Sequence, residues 1–591
     1  MVGTPDRAAD LPPRHRAARR PRVTGDGPRR PLAPVTRRVL VAVTLAWVAV
    51  TATWSVLLPT YRSADESHHI SAILSMQYDG EWGGYRTLNQ LEELRATRVV
   101  SGWTQREDLR EGYYPLAAEG ALPRSERPSL VPDGTITETE VVNSLGQHPP
   151  GYYVLGAAVN DLTPATLAFD MEAWALRLLS VALLAPLPWL LAAIATRLGA
   201  DPPAAIAASL VPLGIPQLGA LGGAVNNDNL LILSCTAVAL LAARIATGDL
   251  RARTTVLVGL ALACALLSKA WALMFVPVVV LAYVIGGTRT RRWGRAAGSL
   301  VAAGALSCAG GWWWVRNYLV FGTLQPAGHS PSLPEPLTWQ EGLPTYLEHA
   351  TTRIPMRFWA TLSIKDGSPP YPYALTTGLA ALVLAGLVIF LVRKQSFAAG
   401  RADALLLVLP FLLCLASLLY STWGLYLDTG TPRGLQGRYL FAAIAAPAAA
   451  LGVGVMSMLT FRARWWAVVT LGVGAVAFTV SAMLQALAFH WTGGGNDLLS
   501  AARALVAWAA PVPTVTLSIV ALLALALTTV LVLLLHGAAH ELRSAAPHEV
   551  RDRSRGDRAA VDDEDGEPSR RSGDEEAQDA TRESDYSLDR A

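Results

Sequence analysis

The chain has 591 residues, of which 52% are hydrophobic and only 16% charged, and its mean hydropathy is +0.32. This composition excludes an ordinary soluble globular protein and is typical of a multi-pass membrane protein. The formal net charge is +3, but residues 1–38 hold ten Arg and three Asp, whereas residues 541–591 hold sixteen acids and nine Arg. We therefore expect a disordered basic arm at 1–38 and a disordered acidic tail at 537–591.

The first apolar run, residues 39–59, is too long for the hydrophobic core of a signal peptide and predicts a retained membrane anchor. A membrane-spanning helix needs about 20 mainly apolar residues. Eleven further candidates lie at 175–196, 203–224, 229–246, 254–268, 270–287, 297–315, 373–392, 404–426, 438–460, 466–489 and 512–536. The sequence thus predicts an all-α polytopic membrane protein, with a bundle of about twelve transmembrane helices over residues 39–536.

Arginine-rich loops set the expected topology, because cytoplasmic loops carry an excess of Lys and Arg. With the amino terminus inside and twelve spans, the loops that fall in the cytoplasm include 244–253, 288–295, 393–401, 461–466 and 551–558, and each of these is basic. A thirteenth span would reverse this pattern. The apolar stretch 149–165 is therefore predicted to be a juxtamembrane or re-entrant helix.

This topology places both termini in the cytoplasm and two large segments, 60–174 and 316–372, outside the plasma membrane. The basic arm directly precedes the first span, which favours a role in topology over nucleic-acid binding, so no nucleic-acid partner is expected. The segment 316–372 is open to two interpretations, a lid over a site or an amphipathic helix at the interface. Its polar and aromatic residues are Trp339, Tyr346, His349, Arg353 and Trp359.

The stretch "ADESHH" follows the first span and carries Asp65, Glu66 and His69. A capping box that starts at Ser63 explains Glu66. It does not explain His69, which lies four residues after Asp65 and so faces the same side of a helix. Such a pair suits a general base with an orienting partner, or part of a metal site.

Further polar residues fall on the same predicted side of the membrane, at the ends of other spans. Each has a structural alternative, such as a helix cap or a cation that extends to the interface. Together, acids and cations on one side indicate carboxylates for proton transfer or metal binding and cations for a phosphate. These residues are His148, Asn227, Asp228, Lys269, Arg316, Arg433 and Arg438.

The order of several short motifs between about residues 38 and 460 resembles the GT-C membrane glycosyltransferases. The nearest group is that of the bacterial relatives of the protein O-mannosyltransferase and lipid A aminoarabinose transferase family. The motifs are "ADESHH", "HPPGYYVLGA", "VNNDNLLIL", "LLSKAW", "WWWVRNYLVFG" and "QGRYLFAAIAAP". One departure is that the Pro expected just before the acidic pair lies farther upstream, at Pro59.

The resemblance implies transfer of a sugar from a polyprenyl-phosphate donor to a glycan, lipid or protein acceptor at the outer membrane face. It implies that Asp65 is the general base, with Glu66 beside it. Asp228 would shape the site or, with Asp65, hold a divalent metal such as Mg or Mn.

The same resemblance implies that cations stabilise the departing lipid phosphate. The candidates are Lys269, Arg316, and the pair of Arg433 and Arg438. His69, His148 and Asn227 are predicted to line the substrate site.

Two other functions are compatible with the sequence. The charged residues could line the passage of a transporter or flippase for a lipid-linked or polar substrate. A polysaccharide polymerase or ligase would use similar lipid-linked substrates.

Overall fold

The structure is a computed structural model that describes residues 34–80, 82–101, 122–326, 332–363, 370–393, 397–492 and 497–561. The first eight helices are α1 (Pro34–Leu57), α2 (Glu66–Tyr78), α3 (Glu92–Val100), α4 (Gly151–Asn160), α5 (Phe169–Leu184), α6 (Leu187–Arg197), α7 (Pro202–Leu210) and α8 (Pro216–Gly222). The others are α9 (Asp228–Ala246), α10 (Ala252–Leu266), α11 (Val276–Thr290), α12 (Trp293–Phe321), α13 (Trp339–Trp359), α14 (Tyr373–Val392), α15 (Arg401–Thr429), α16 (Ala445–Ala449), α17 (Phe461–Thr492), α18 (Leu498–Trp508) and α19 (Pro513–Val561).

Short 3-10 helices join several of these elements, among them Ala270–Phe275 before α11 and Gly437–Ala443 before α16. The strands of the described chain are β1 (Asn89–Leu91) and β2 (Glu138–Val142), which pair antiparallel. The chain divides into two compact units, Met1–Ala538 and Ala539–Ala591. The described part of the second unit is the end of α19, which runs to Val561.

Eight helices of the described residues are long and apolar enough to cross a membrane. Gly437–Ala443 and Ala445–Met458 form a pair bent by 62°, which gives a ninth span if the pair is counted as one. The predicted all-α, multi-pass architecture agrees with the structure, but the count of twelve is not confirmed. The eight are Pro34–Leu57, Phe169–Arg197, Asp228–Ala246, Ala270–Thr290, Tyr373–Val392, Arg401–Thr429, Phe461–Trp491 and Pro513–Glu541.

The other three predicted spans differ for separate reasons. The run 203–224 breaks into α7, a 3-10 turn and α8, because Pro212 and Pro216 lack the N–H that a continuous helix needs. The run 254–268 forms α10, whose 15 residues extend only about 22 Å at 1.5 Å per residue. The run 297–315 lies in α12, which is long enough but rich in Gly, Ala and Trp, so its hydropathy is lower.

Helix α4 occupies the stretch 149–165 and has ten residues, which extend about 15 Å. Because the hydrocarbon core of a bilayer is about 30 Å thick, α4 is too short to span it. It packs against α2, as a juxtamembrane or re-entrant helix would. Of the two predicted disordered ends, residues 34–38 and 537–561 are helical, and 1–33 and 562–591 lie outside the described residues.

The segment 60–174 has a small hydrophobic core of its own. This core joins α2, α4 and the start of α5 to residues next to α9, and it includes Ile70, Ile73, Tyr152, Tyr153 and Val225. The larger core lies among the long helices and includes Trp47 and Trp54 of α1. The predicted first loop is therefore a packed layer on the helix bundle.

A buried ion pair fixes the connection between α1 and α2. Arg177 of α5 donates to both carboxylate oxygens of Glu66, over 2.7 Å from Nε and 2.6 Å from Nη2. Its other N–H groups donate to the carbonyls of Ser55 and Leu58, at 2.7 and 2.6 Å, and of Pro59, at 3.0 Å. All five N–H groups of the guanidinium are thus used, and the end of α1 is held against α5.

The Glu66 carboxylate is fully buried and accepts two further hydrogen bonds. They come from the backbone N–H of Tyr61, at 3.0 Å, and of Val225, at 3.2 Å. One carboxylate therefore connects α5, the turn 58–65 and the segment that leads into α9. This connection determines where Asp65 sits.

We expect Arg177→Met to destabilise the protein strongly, because it leaves the Glu66 carboxylate buried without a cation. The expected loss is about 3–5 kcal/mol, read as a large drop in the thermal unfolding midpoint in detergent. Arg95→Met is the matched control. Its ion pair with Glu92 is exposed, at 3.6 Å, and contributes about 0–1 kcal/mol. Equal midpoints for the two variants would contradict the role assigned to the buried pair.

Helices α10 and α12 approach closely at Gly310, where a Cβ would lie 2.1 Å from the Ala263 carbonyl oxygen. Gly310→Ala should therefore destabilise the protein by about 1–3 kcal/mol. Gly304 lies in the same helix with nothing within 4 Å of a Cβ, so Gly304→Ala should be neutral or stabilising. Thermal unfolding of the two purified variants tests the difference, and a Gly310→Ala protein as stable as Gly304→Ala would refute the close packing.

Candidate functional site

Asp65 ends the turn before α2 in a left-handed backbone conformation, with φ 60° and ψ 12°. It occupies the N-cap position, but its side chain makes no capping hydrogen bond. The capping box from Ser63 is not formed, since the Glu66 N–H donates to the Ser63 carbonyl instead. A left-handed conformation is costly for Asp, and the buried bonds of the next residue, Glu66, hold it there. The Asp65 carboxylate therefore points away from its own helix.

Four charged side chains from distant parts of the sequence meet in a chain of alternating sign. Arg438 Nη2 lies 2.8 Å from Asp65 Oδ2, and Arg438 Nε lies 3.9 Å from Asp228 Oδ2. Lys269 Nζ lies 2.7 Å from Asp228 Oδ1. We call Asp65, Arg438, Asp228 and Lys269 the ion chain.

The ends of helices position the ion chain. Asp228 is the first residue of α9, and Lys269 lies between α10 and the 3-10 helix Ala270–Phe275. Arg438 lies in the 3-10 helix Gly437–Ala443, which packs so tightly on α13 that a Cβ at Gly437 would meet the Ile354 oxygen at 2.1 Å. Only glycine allows this approach, and it brings Arg438 toward the other charges.

The four side chains differ sharply in exposure. Asp228, Arg438 and Lys269 are 2%, 7% and 8% exposed, whereas Asp65 is 49% exposed. Within the described residues, Asp228 Oδ2 and Arg438 Nε have no hydrogen-bond partner. The buried members thus keep unused bonding capacity, and Asp65 is the member that meets solvent.

The charges around Asp65 keep its carboxylate ionised. Burial by itself would raise its pKa, but the Arg438 guanidinium, with a smaller contribution from Lys269, outweighs burial. The pKa of Asp65 therefore lies well below its usual value. While Asp65 is paired with Arg438, it is an ionised but weak base.

His69 is buried in α2, and its Nδ1 lies 3.2 Å from the Tyr153 hydroxyl. Burial lowers the pKa of His69 to about 3, even though Asp65 favours its charged form. The His69 ring stacks on Tyr153, whose ring stacks on Trp82 with centroids 4.5 Å apart. The predicted pair of Asp65 and His69 is therefore a carboxylate near a neutral imidazole.

His148 lies just before α4 and is also buried. Burial holds the pKa of His148 well below its usual value, and Lys269 lowers it further. Its carbonyl accepts a hydrogen bond from Trp82 Nε1 at 3.1 Å, and its Nδ1 has no hydrogen-bond partner among the described residues. His148 is thus a neutral side chain near the ion chain.

Two asparagines tie the ion chain together from the start of α9. Asn227 donates to the carbonyl of Ser268, the residue before Lys269, at 3.2 Å. Asn226 accepts from the backbone N–H of Asp228 at 2.9 Å and donates to the carbonyl of Ala64 at 3.3 Å. Asn226 therefore holds the backbone at Asp228 and at Ala64, the residue before Asp65.

The structure brings only some of the predicted cations into the ion chain. Lys269 and Arg438 belong to the ion chain, whereas the described contacts of Arg316 are with Asn317, Trp313 and Phe321. The structure thus does not bring Arg316 to the ion chain. Arg433 lies in the turn before Arg438, where its backbone N–H donates to the Thr431 carbonyl.

Two residues of the site were not predicted: Arg177 and Tyr439. The Tyr439 ring lies 4.9 Å from Lys269 Nζ and 5.6 Å from the Arg438 guanidinium carbon. The sequence contained a signal for Arg177, because a single charge within an apolar run of a membrane protein indicates a buried partner. Tyr439 is recognisable only through its contact with Lys269, which is distant in sequence.

The ion chain is a poor fit for a divalent metal. In the part of the chain that the structure describes, no group of three His, Cys, Asp or Glu side chains could hold one. Asp65 and Asp228 are each paired with a cation, which a metal would have to displace. The Mg or Mn site stays a prediction, and no chemical step is assigned to it.

Comparison with solved structures finds similarity to the crystal structures of ArnT from Cupriavidus metallidurans. The similarity to the form bound to undecaprenyl phosphate has a TM-score of 0.40, 14% identity, and coverage of 85% of this chain and 78% of that chain. For the apo form the TM-score is 0.42, with 14% identity and coverage of 86% and 78%.

The archaeal oligosaccharyltransferase AglB from Archaeoglobus fulgidus, in complex with an inhibitory peptide and a dolichol-phosphate, has a TM-score of 0.35. Its identity is 12%, and the match covers 79% of this chain and 60% of that chain. Similarity at this level does not assign an activity.

No curated protein matches the sequence. Residues 48–448, more than half of the chain, match the family model DUF2142, described as a predicted membrane protein. The chain therefore belongs to the DUF2142 family of predicted membrane proteins.

Proposed function

We propose that this protein is a membrane glycosyltransferase that moves a sugar from a polyprenyl-phosphate donor to an acceptor hydroxyl. The observation that carries the proposal is the ion chain, in which one half-exposed carboxylate lies beside two buried cations. A carboxylate is suited to take the acceptor proton, and cations are suited to hold a phosphate. We place this chemistry on the extracytoplasmic face, as the distribution of arginine predicts.

The proposed reaction is a single displacement with inversion. The acceptor oxygen attacks the anomeric carbon of the sugar, its proton passes to an Asp65 oxygen, and the bond to the phosphate oxygen breaks. The electron pair of that bond leaves with the polyprenyl phosphate, beside Arg438 and Lys269. By analogy with oxyanion-hole deletions, each key cation is worth about 10²- to 10³-fold in rate.

Asp228 and Glu66 have supporting parts in this proposal. Asp228 is buried between Lys269 and Arg438 and keeps the two cations beside each other. Glu66 is fully buried against Arg177, with its carboxylate already bonded. We therefore assign Glu66 the positioning of Asp65, in place of the direct catalytic part that the sequence suggested.

An apolar cavity of about 670 Å³ offers a place for the lipid tail of the donor. Residues of α7, α14, α17 and the bent segment Gly437–Met458 contribute to its wall. The bent segment thus carries Arg438 at its start and contributes Pro447, Ala450 and Val455 to the cavity. One stretch of backbone connects a phosphate-binding cation with an apolar groove.

Helix α13 contributes to the wall of the same groove. Its last two residues, Phe358 and Trp359, line the cavity. Farther back, the Tyr346 hydroxyl donates to the Leu419 carbonyl at 2.8 Å, and Arg353 donates to the Pro432 carbonyl at 3.2 Å. These contacts support a wall that is packed on α15, and a lid that opens stays a prediction.

Asp65→Asn should lower the rate of glycosyl transfer by about 10²- to 10⁴-fold, because the amide cannot take the acceptor proton. Folding should be retained, since Asp65 is half exposed and makes no cap bond. The measurement uses purified protein, radiolabelled polyprenyl-phosphate sugars and membrane acceptors.

Asp161→Asn is the matched control for that variant, because Asp161 is an exposed acid at the end of α4. It should retain full activity. Normal transfer by Asp65→Asn would refute Asp65 as the base. Substrate export without transfer would favour a transporter instead.

Gly474→Leu should raise the KM for a long-chain polyprenyl donor several-fold, because the new side chain enters the cavity. Gly474 lines the cavity, and a Cβ there would meet nothing within 4 Å, so the helix itself should tolerate the change. Gly378→Leu in α14 is the control, since Gly378 is equally open but does not line the cavity. Transfer rates with long and short donors test this. An equal KM for the long donor in both variants would exclude the cavity as the tail site.

A further inference from the structure

The ion chain balances its own charge before any substrate arrives. It contains two carboxylates and two cations, each in contact with a member of opposite sign. A phosphate that approaches this cluster finds no unpaired cation. Either it stays outside, or it takes a cation from a carboxylate.

The two carboxylates are not equally able to give up their cations. Asp228 is 2% exposed, so separating it from Lys269 would leave a charge in a medium of low dielectric constant, which is strongly unfavourable. Asp65 is 49% exposed, and water can solvate its carboxylate once it separates from Arg438. Asp65 is therefore the carboxylate that separates more easily from its cation.

Arg438 itself is held in place. It is buried, packed against the Tyr439 ring and close to Asp228, and the glycine before it lies against α13. Its Nη2 now bonds Asp65, and its Nε has no hydrogen-bond partner among the described residues. A phosphate offers several oxygens to a guanidinium, whereas Asp65 uses one N–H. The partner of Arg438 can change while the guanidinium stays.

We propose that the donor phosphate displaces Asp65 from Arg438, and that this exchange frees the Asp65 carboxylate for the acceptor. The inference rests on the proposed function and adds an order of events to it. The donor binds first, and the base becomes available only when the phosphate is in place. No covalent bond changes in this step, because one ion pair replaces another.

The exchange also changes the strength of the base. Arg438 is the main opposing charge that lowers the pKa of Asp65, ahead of Lys269. When the phosphate takes Arg438, that influence weakens and the pKa of Asp65 moves back toward its usual value. Asp65 becomes a stronger proton acceptor at the moment when the leaving group is held.

The test is the affinity of the purified full-length protein for undecaprenyl phosphate in lipid nanodiscs. If Asp65 and the phosphate compete for Arg438, Asp65→Asn should bind undecaprenyl phosphate more tightly, by roughly fivefold, the size of a partly exposed ion pair. Arg438→Gln should bind it more weakly. A residue that only takes a proton, without acting on the phosphate, would leave the affinity unchanged.

A double-mutant cycle separates competition from simple charge repulsion. In the Arg438→Gln background, Asp65→Asn should no longer increase the affinity, because no shared cation is left. An increase that persists in this background would mean repulsion through space and would overturn the proposal. So would an unchanged or weaker affinity of the single variant Asp65→Asn. Should Arg438→Gln fail to fold, Arg438→Lys is used instead: it keeps a charge but loses the planar guanidinium, so Asp65→Asn should increase the affinity less than it does in the wild-type background, and an equal increase would contradict the exchange.

Two further arms separate this inference from the proposed function. Inorganic phosphate at the same concentration should not compete with the lipid, and if it binds equally well and shows the same cycle, the ligand is free phosphate and the proposal is wrong. If the wild-type protein does not bind undecaprenyl phosphate saturably, the proposed function falls and the exchange with it. If it binds the lipid and transfers sugar, but Asp65→Asn leaves the affinity unchanged, only the exchange falls.

Discussion

The site depends on one buried interaction, the bidentate ion pair between Arg177 and Glu66. Arg177 comes from α5, and its guanidinium also bonds the carbonyls at the end of α1. A charge in such a place is tolerated only when every donor and acceptor around it is used, and here the guanidinium and the carboxylate use each other. These bonds fix the turn 58–65, and the acid just before Glu66, Asp65, is half exposed to solvent.

The ion chain lies at the edge of an apolar bundle, where a buried charge needs a neighbour of opposite sign. Three of its four members are almost completely buried, and each charge has a neighbour of opposite sign within 4 Å. An isolated charge in this environment would be expelled or neutralised. The alternating order gives each buried charge a neighbour of opposite sign and confines the solvent-facing charge to one carboxylate.

Much of this arrangement could be predicted from the sequence, because the basic loops orient the chain and put the ends of alternate helices on one side. That reasoning placed Asp65, Asp228, Lys269 and Arg438 together. It did not separate them from Arg316, whose aromatic neighbours are visible only in three dimensions.

The spans show where hydropathy stops being informative. Apolar composition does not reveal that Pro212 and Pro216 divide one run, or that residues 437–458 bend by 62°. Glu66 shows a similar limit. A single sequence presents it as one of two adjacent acids, and only the packing of α5 decides that it is buried while Asp65 is not.

The bend at residues 437–458 has a mechanical consequence. Arg438 lies on one arm of this elbow, and the other arm forms part of the wall of the apolar cavity. The position of the guanidinium and the shape of the apolar wall therefore depend on the same backbone segment. A substitution that straightened the elbow would move both of them at once.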